Sequence, residues 1–200
     1  MHPSDEQLVS AYIEQADQRA FSMLVSRHQE RIYGYLLGMV RDPSLANDLF
    51  QDTFFRVIKA MHNQRGSYEQ QGRWLAWVMR IARNAALDHL RSRKKWQDVP
   101  QGDDDQGSFW DRLPSEEVPA DLAYDRAEMK ELLTHCIDAL SPDQREVLLL
   151  RHESDLTFRE IAELTNCSIN TALGRMRYAL LNLRKMMTSK KKLLAGSDIA

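Results

Sequence analysis

An all-helical fold, with two helical domains joined by an acidic flexible linker and the second domain built on a helix-turn-helix, is predicted for this 200-residue chain by three observations. Apolar residues recur at helical spacing on both sides of one gap, and no alternating strand pattern survives beside them. No proline falls between residues 44 and 99 or after Pro142, so long helices are allowed there. Residues 97–120 between the two helical stretches hold three prolines, two glycines and seven acids, too little apolar surface to order a segment.

Each helix has its own start and stop signals. Ser4 and Gln7 are spaced as a capping box ahead of Leu8, Tyr12, Ile13 and Ala16. A second helix carries Phe21, Leu24, Val25, His28, Ile32, Leu36 and Val40 until Asp42-Pro43 stops it. Asp42 then caps a third helix with Pro43 at its first position, where Leu45, Leu49, Thr53 and Val57 fall on one line. The polar stretch 62–72 contains two glycines and reads as a loop. A longer helix follows, with Trp74, Trp77, Val78, Ile81, Ala85 and Leu90 as its apolar face.

Beyond the linker, helical spacing resumes near Tyr124 with Ala127, Met129, Leu132, Leu133, Ile137 and Leu140. Ser141, Pro142 and Gln144 supply a cap, a proline at the first position and a box partner for the helix carrying Val147, Leu148 and Leu150. Thr157 and Glu160 open a short helix that turns Ile161, Ala162 and Leu164 inward. Thr165-Asn166-Cys167 is a tight turn, and Ser168 caps the last helix. There Leu173, Met176, Leu180, Leu183 and Met187 form one stripe expected to pack on the domain, opposite Thr171, Gly174, Arg175, Tyr178, Asn182 and Lys185.

Charge is segregated although the chain as a whole carries only -2. Residues 73–95 hold seven basic side chains against Asp88, residues 98–128 hold ten acids against two arginines, and residues 171–192 hold seven bases and no acid. Two basic helices on either side of an acidic tether suit two contacts with a polyanion. Two helices joined by a short turn, the second with a polar and basic outer face, are the parts of a major-groove reader. The same pattern also fits a helical hairpin inside an ordinary bundle, and Gly174 fits either close approach to DNA or a packing need. Trp74 and Trp77 suit a core, and beside so much arginine they also suit stacking on unpaired bases.

Several classes are disfavoured. No histidine pair has metal-ligand spacing, and there is no phosphate-binding glycine loop and no nucleophile elbow. The reading is therefore not an enzyme, with no cofactor and no metal. No apolar run reaches the roughly 20 residues of a membrane helix, so no membrane insertion is expected. The first residues lack the basic and apolar regions of a secretory signal. Cys136 and Cys167 form no ligand pair, in keeping with a reduced, cytoplasmic chain.

Taken in order, these segments resemble the extracytoplasmic-function sigma factors, dissociable specificity subunits of bacterial RNA polymerase in the sigma-70 family. The likeness is carried by Asp48-Leu49-Phe50-Gln51-Asp52-Thr53-Phe54, Trp74-Leu75, Arg80-Ile81-Ala82-Arg83-Asn84 and Asp88-His89-Leu90-Arg91 in the first half. In the second it is carried by Leu140-Ser141-Pro142, Arg145-Glu146-Val147, Glu160-Ile161-Ala162 and the turn at Cys167. The resemblance implies a region 2-like domain over 1–96, an acidic linker over 97–123, a region 4-like domain over 124–188 and a disordered tail over 189–200. It implies that Asp48, Gln51, Asp52 and Phe55 bind the polymerase core. Tyr68, Arg73, Trp77, Arg83, Asn84, Asp88, Arg91 and Arg93 would recognise and melt the promoter's -10 element. Ser168, Asn170, Thr171, Gly174, Arg175, Tyr178 and Lys185 would read the -35 element. The linker would thread the polymerase's RNA channel, and an anti-sigma factor would be a further partner. Leu173, Gly174 and Leu180 depart from the basic residue, serine and arginine usual in the family at those positions. The alternative is a stand-alone helix-turn-helix regulator, which has no use for the 48–59 surface.

Overall fold

The computed structural model describes residues 3–62, 73–95 and 126–197, and the regular structure in them is helical throughout. The first lobe comprises α1 (Asp5–Gln15), α2 (Gln18–Val40), α3 (Pro43–His62) and α4 (Trp74–Lys95). The second comprises α5 (Arg126–Asp138), α6 (Pro142–His152), α7 (Phe158–Thr165) and α8 (Ile169–Ser197). Residues of the expected loop 63–72 and of the linker 97–123 lie outside the described residues.

The end signals legible in the sequence are used. Ser4 Oγ accepts from the Gln7 N–H while Gln7 Oε1 accepts from the Ser4 N–H, closing the box on α1. Asp42 Oδ1 accepts from the N–H groups of Ser44 and Leu45, with Pro43 at the first position of α3. Thr157 and Glu160 form the second complete box, on α7. At α6 the box is half formed. Ser141 Oγ accepts from the Gln144 N–H, but Gln144 Oε1 instead accepts from Asn182 Nδ2 at 3.0 Å. One signal was missed: Asp17 Oδ1 accepts from the N–H groups of Arg19 and Ala20, and so starts α2.

Two boundaries differ from expectation. His62 closes α3 instead of opening a loop, sharing a 2.9 Å hydrogen bond with the Tyr12 hydroxyl. The last helix runs to Ser197, past the boundary set at 188, because no proline follows Pro142 and Lys, Leu and Ala are strong helix formers. The stripe on α8 is also rotated from the one expected. Ala172, Ala179 and Leu183 are buried, whereas Leu173 and Leu180 are 42% and 51% exposed. Small alanines let α8 lie close to α6, and that contact fixes which side faces in.

The first lobe is centred on Val9, Leu24, Ile32, Leu36, Val57, Trp74, Val78 and Met79. In the second, Cys136, Leu140, Leu148, Ala179 and Leu183 form a cluster of their own. Val147, Leu149, Leu150, Ile161 and Ala172, however, belong to the same buried cluster as the first lobe. Helix α6 packs on α2 and α7 on α4, so the lobes are docked. Gly34 and Gly38 of α2 make room for this. A Cβ at Gly38 would stand 2.5 Å from Leu149 Cδ2, and one at Gly34 would stand 2.6 Å from Glu153 Oε2.

Candidate nucleic-acid interface

Helix α3 turns Leu49, Thr53 and Val57 into the core, which leaves Asp48, Gln51, Asp52 and Phe55 on its other side. Asp48 and Gln51 are exposed, and Asp52 pairs with Arg56 at 2.8 Å. Phe55 is 69% exposed, the largest value among the exposed large apolar side chains of the described residues. An aromatic ring held in water beside acids is a protein-docking feature more than a core residue.

Helix α4 buries Trp74, which settles its role as core: its ring lies 5.3 Å from that of His28. Trp77 is half-buried on the same helix. Arg73 is exposed and pairs with Glu163 of α7 at 3.0 Å. Arg83 grips both oxygens of Glu146 on α6, Nε at 2.9 Å and Nη2 at 3.1 Å, with 17% and 7% of the two side chains exposed. Asn84, Asp88 and Arg91 form an exposed stripe, Asp88 and Arg91 3.7 Å apart. Arg80 completes that stripe one turn earlier; its spacing from Asn84 and Asp88 carried the signal, and the sequence reading passed over it. Tyr68 and the side chain of Arg93 lie outside the described residues.

The helix-turn-helix is complete. Asn166 adopts the left-handed conformation at φ 54° and ends α7, and Ser168 Oγ accepts from the Thr171 N–H at 3.0 Å to begin α8. The exposed first turn presents Ser168, Ile169, Asn170, Thr171 and Leu173, and Lys185 is exposed further along. The Thr171 hydroxyl lies 2.8 Å from Ser168 Oγ. Gly174 is shielded, Tyr178 is half-buried, and Arg175 pairs with Asp143 of α6. Four of the seven residues expected to read DNA here, Ser168, Asn170, Thr171 and Lys185, thus lie open, while Arg175 braces the helix against α6. The apolar Ile169, Leu173 and Leu180 on the exposed surface were not expected there.

Electrostatics follow burial. His28 Nε2 lies 2.8 Å from Asp5, yet desolvation outweighs that carboxylate and lowers the imidazole pKa below its ordinary value. Burial, with the Glu146 charge close by, pushes the Tyr35 hydroxyl well above its ordinary value. Among the described residues no His, Cys, Asp and Glu side chains cluster to hold a metal ion, and no helix is long and apolar enough to cross a membrane.

A helix lined with arginine and a helix-turn-helix, carried beside an exposed acidic and aromatic face, define a DNA-binding protein of transcription. Comparison with known proteins narrows the class. Residues 24–96 match the family model for sigma-70 region 2, and residues 130–181 match that for sigma-70 region 4. The chain is 35% identical over 173 residues to the RNA polymerase sigma factor CarQ of Myxococcus xanthus, covering 85% of this chain and 90% of that one. It is 34% identical over 137 residues to the ECF RNA polymerase sigma factor SigM of Bacillus subtilis, covering 68% and 76%. Its fold is similar to that of CnrH, solved in complex with the cytosolic domain of CnrY, with a TM-score of 0.65 and 20% identity over 93% of this chain and 99% of that one. It is also similar to a chain from the complex of RpoE with the anti-sigma factor NepR from Bartonella quintana, with a TM-score of 0.62 and 20% identity over 84% and 96%. The chain belongs to the sigma-70 family and is an extracytoplasmic-function RNA polymerase sigma factor, directing promoter-specific initiation.

Proposed function

We propose that the face of α3 formed by Asp48, Gln51, Asp52 and Phe55 docks on the polymerase core, that α4 engages the -10 element and that α8 reads the -35 element. Phe55 carries this reading: a ring this exposed, on a helix whose neighbouring aromatics are packed away, serves a protein partner that a stand-alone regulator lacks. On α4, Arg80, Asn84 and Arg91 supply backbone and base contacts, with Tyr68, Arg73, Trp77, Arg83, Asp88 and Arg93 completing the -10 set. On α8, Ser168, Asn170 and Thr171 reach base edges from the first turn while Lys185 holds phosphate. Gly174, Arg175 and Tyr178 belong to the same helix and set its seat. The chain supplies recognition and no chemistry of its own. Residues 97–123 serve as the tether between the -10 and -35 domains, and an anti-sigma factor is the natural antagonist.

The test is abortive transcription with purified polymerase core, with and without the chain, on a randomised promoter library. Initiation from a selected subset of promoters is expected, and it yields both element sequences. No initiation, together with sequence-specific duplex binding by the chain alone, points instead to the stand-alone regulator.

A further inference from the structure

Three large apolar side chains of α8, Ile169, Leu173 and Leu180, lie open to solvent, between 42% and 51% exposed. The helix is not free to turn them inward. Ala172, Ala179 and Leu183 are packed on its inner side. Two ties from consecutive residues at the start of α6 hold it there: Asp143 pairs with Arg175, and Gln144 Oε1 accepts from Asn182 Nδ2 at 3.0 Å. Arg175 and Asn182 are seven residues apart and share one side of the helix, so the two ties fix its rotation.

The chemistry of the first two turns is narrow. Residues 168–174 include no arginine, lysine, glutamine or acid. Guanine is read by the paired donors of Arg or Lys and the cytosine amine by a carboxylate, and neither group is present there. The Ser168 and Thr171 hydroxyls lie 2.8 Å apart, and a hydroxyl both donates and accepts, so these two discriminate little between bases. What remains open is one amide, Asn170, with Ile169 and Leu173. An amide matches the N6 and N7 edge of adenine, and an apolar side chain matches the C5 methyl of thymine. Residues 171–192 hold seven bases and no acid, so this apolar pair sits in a field that draws DNA.

Resting on the reading that α8 meets the -35 element, we propose that Ile169 and Leu173 are specificity-determining residues that read thymine methyl groups. With Asn170 on adenine, the start of α8 selects A·T pairs. Ile169 and Leu173 are four residues apart, about 6 Å along the helix, which covers about two base steps of about 3.4 Å. The two methyl groups therefore belong to thymines no more than about two steps apart. Leu180 lies about 10 Å beyond Leu173, outside the N-terminal part of a reading helix that meets base edges, and takes no part.

The test deletes the methyl group alone. Holoenzyme assembled from purified polymerase core and the full chain is offered a promoter selected from the library. Each thymine of its -35 element is replaced in turn by deoxyuridine, and promoter binding and abortive initiation are measured. One or two replacements are expected to weaken binding by about three- to fivefold. Leu173→Ala and Ile169→Ala are each expected to abolish the effect of one replacement, binding the thymine and deoxyuridine duplexes alike. Leu180→Ala is expected to keep the wild-type response to every replacement. A selected -35 element without thymine, or equal binding of every thymine and deoxyuridine pair by the wild type, overturns the proposal and leaves the -35 reading standing. Initiation indifferent to the whole -35 sequence overturns that reading and the proposal with it. Loss of core affinity in Ile169→Ala and Leu173→Ala, with the thymine response retained, marks the pair as a protein-docking surface and also overturns the proposal.

Discussion

Phe55 and His28 show how far a single side chain's surroundings decide its work. Phe55→Ala removes an exposed ring and leaves the packing of α3 untouched. It is expected to weaken binding to purified polymerase core by about 10- to 100-fold, the range of a hot-spot truncation, with an unchanged melting curve; anisotropy titration and circular dichroism measure the two. Leu173 lies open on α8, the helix proposed to read the -35 element, where an apolar side chain would meet thymine methyl groups and bring no charge to phosphate. Leu173→Lys is expected to steepen the dependence of log affinity on log salt by about one unit and to shift the base preferred in the -35 element, both read from library selections at several salt concentrations. For His28 the sign follows from burial. Its pKa is lowered in the fold, so the unfolded chain binds the proton more tightly. The stability it contributes is complete above the ordinary value of 6.5 and is lost as pH falls through the lower folded value. Urea midpoints measured from pH 8 downward should decline below about 6.5 in the wild type and be flatter in His28→Gln.

At the scale of helices, the signals that could be read were the ones whose partners are neighbours in sequence. Ser4 with Gln7, Asp42 with Pro43, and Thr157 with Glu160 each act within one turn, and each caps the helix expected of it. Helix α7 has only eight residues and leans on its cap. Thr157→Ala should cost about 1 kcal/mol, seen as a lower urea midpoint and weaker binding to a -35 duplex, and Thr157→Ser should restore both. Misreadings arose where a distant partner intervened. Gln144 stands at the box position, but Asn182 draws off its side chain. Leu173 and Leu180 look like core by size, yet α6 presses on the alanine side of α8 and leaves them outside. Arg175, proposed for the -35 element, pairs with Asp143 of α6, a partner that no local pattern announces.

Across the whole molecule, the docking of the lobes is mainly apolar. The Arg73–Glu163 and Arg41–Asp138 pairs are substantially exposed and worth little each, while Arg83–Glu146 is buried and weakly screened. Raising salt should therefore leave the scattering radius of the free chain unchanged, and an expansion in high salt would show that ion pairing dominates the interface. The sequence by itself determined the helices, their caps, the helix-turn-helix and the order of basic, acidic and basic segments, because periodicity, capping and charge are local properties of the chain. The family resemblance grouped Phe55 with Asp48, Gln51 and Asp52, and the helix repeat sets i, i+3, i+4 and i+7 on one side. Only the tertiary structure decided that Arg83 faces Glu146, 63 residues away, and that Arg73 faces Glu163, 90 residues away. Gly34 and Gly38 gave no sign of their role in docking because a missing side chain has no pattern, and its meaning appears only when Glu153 and Leu149 arrive from the other lobe.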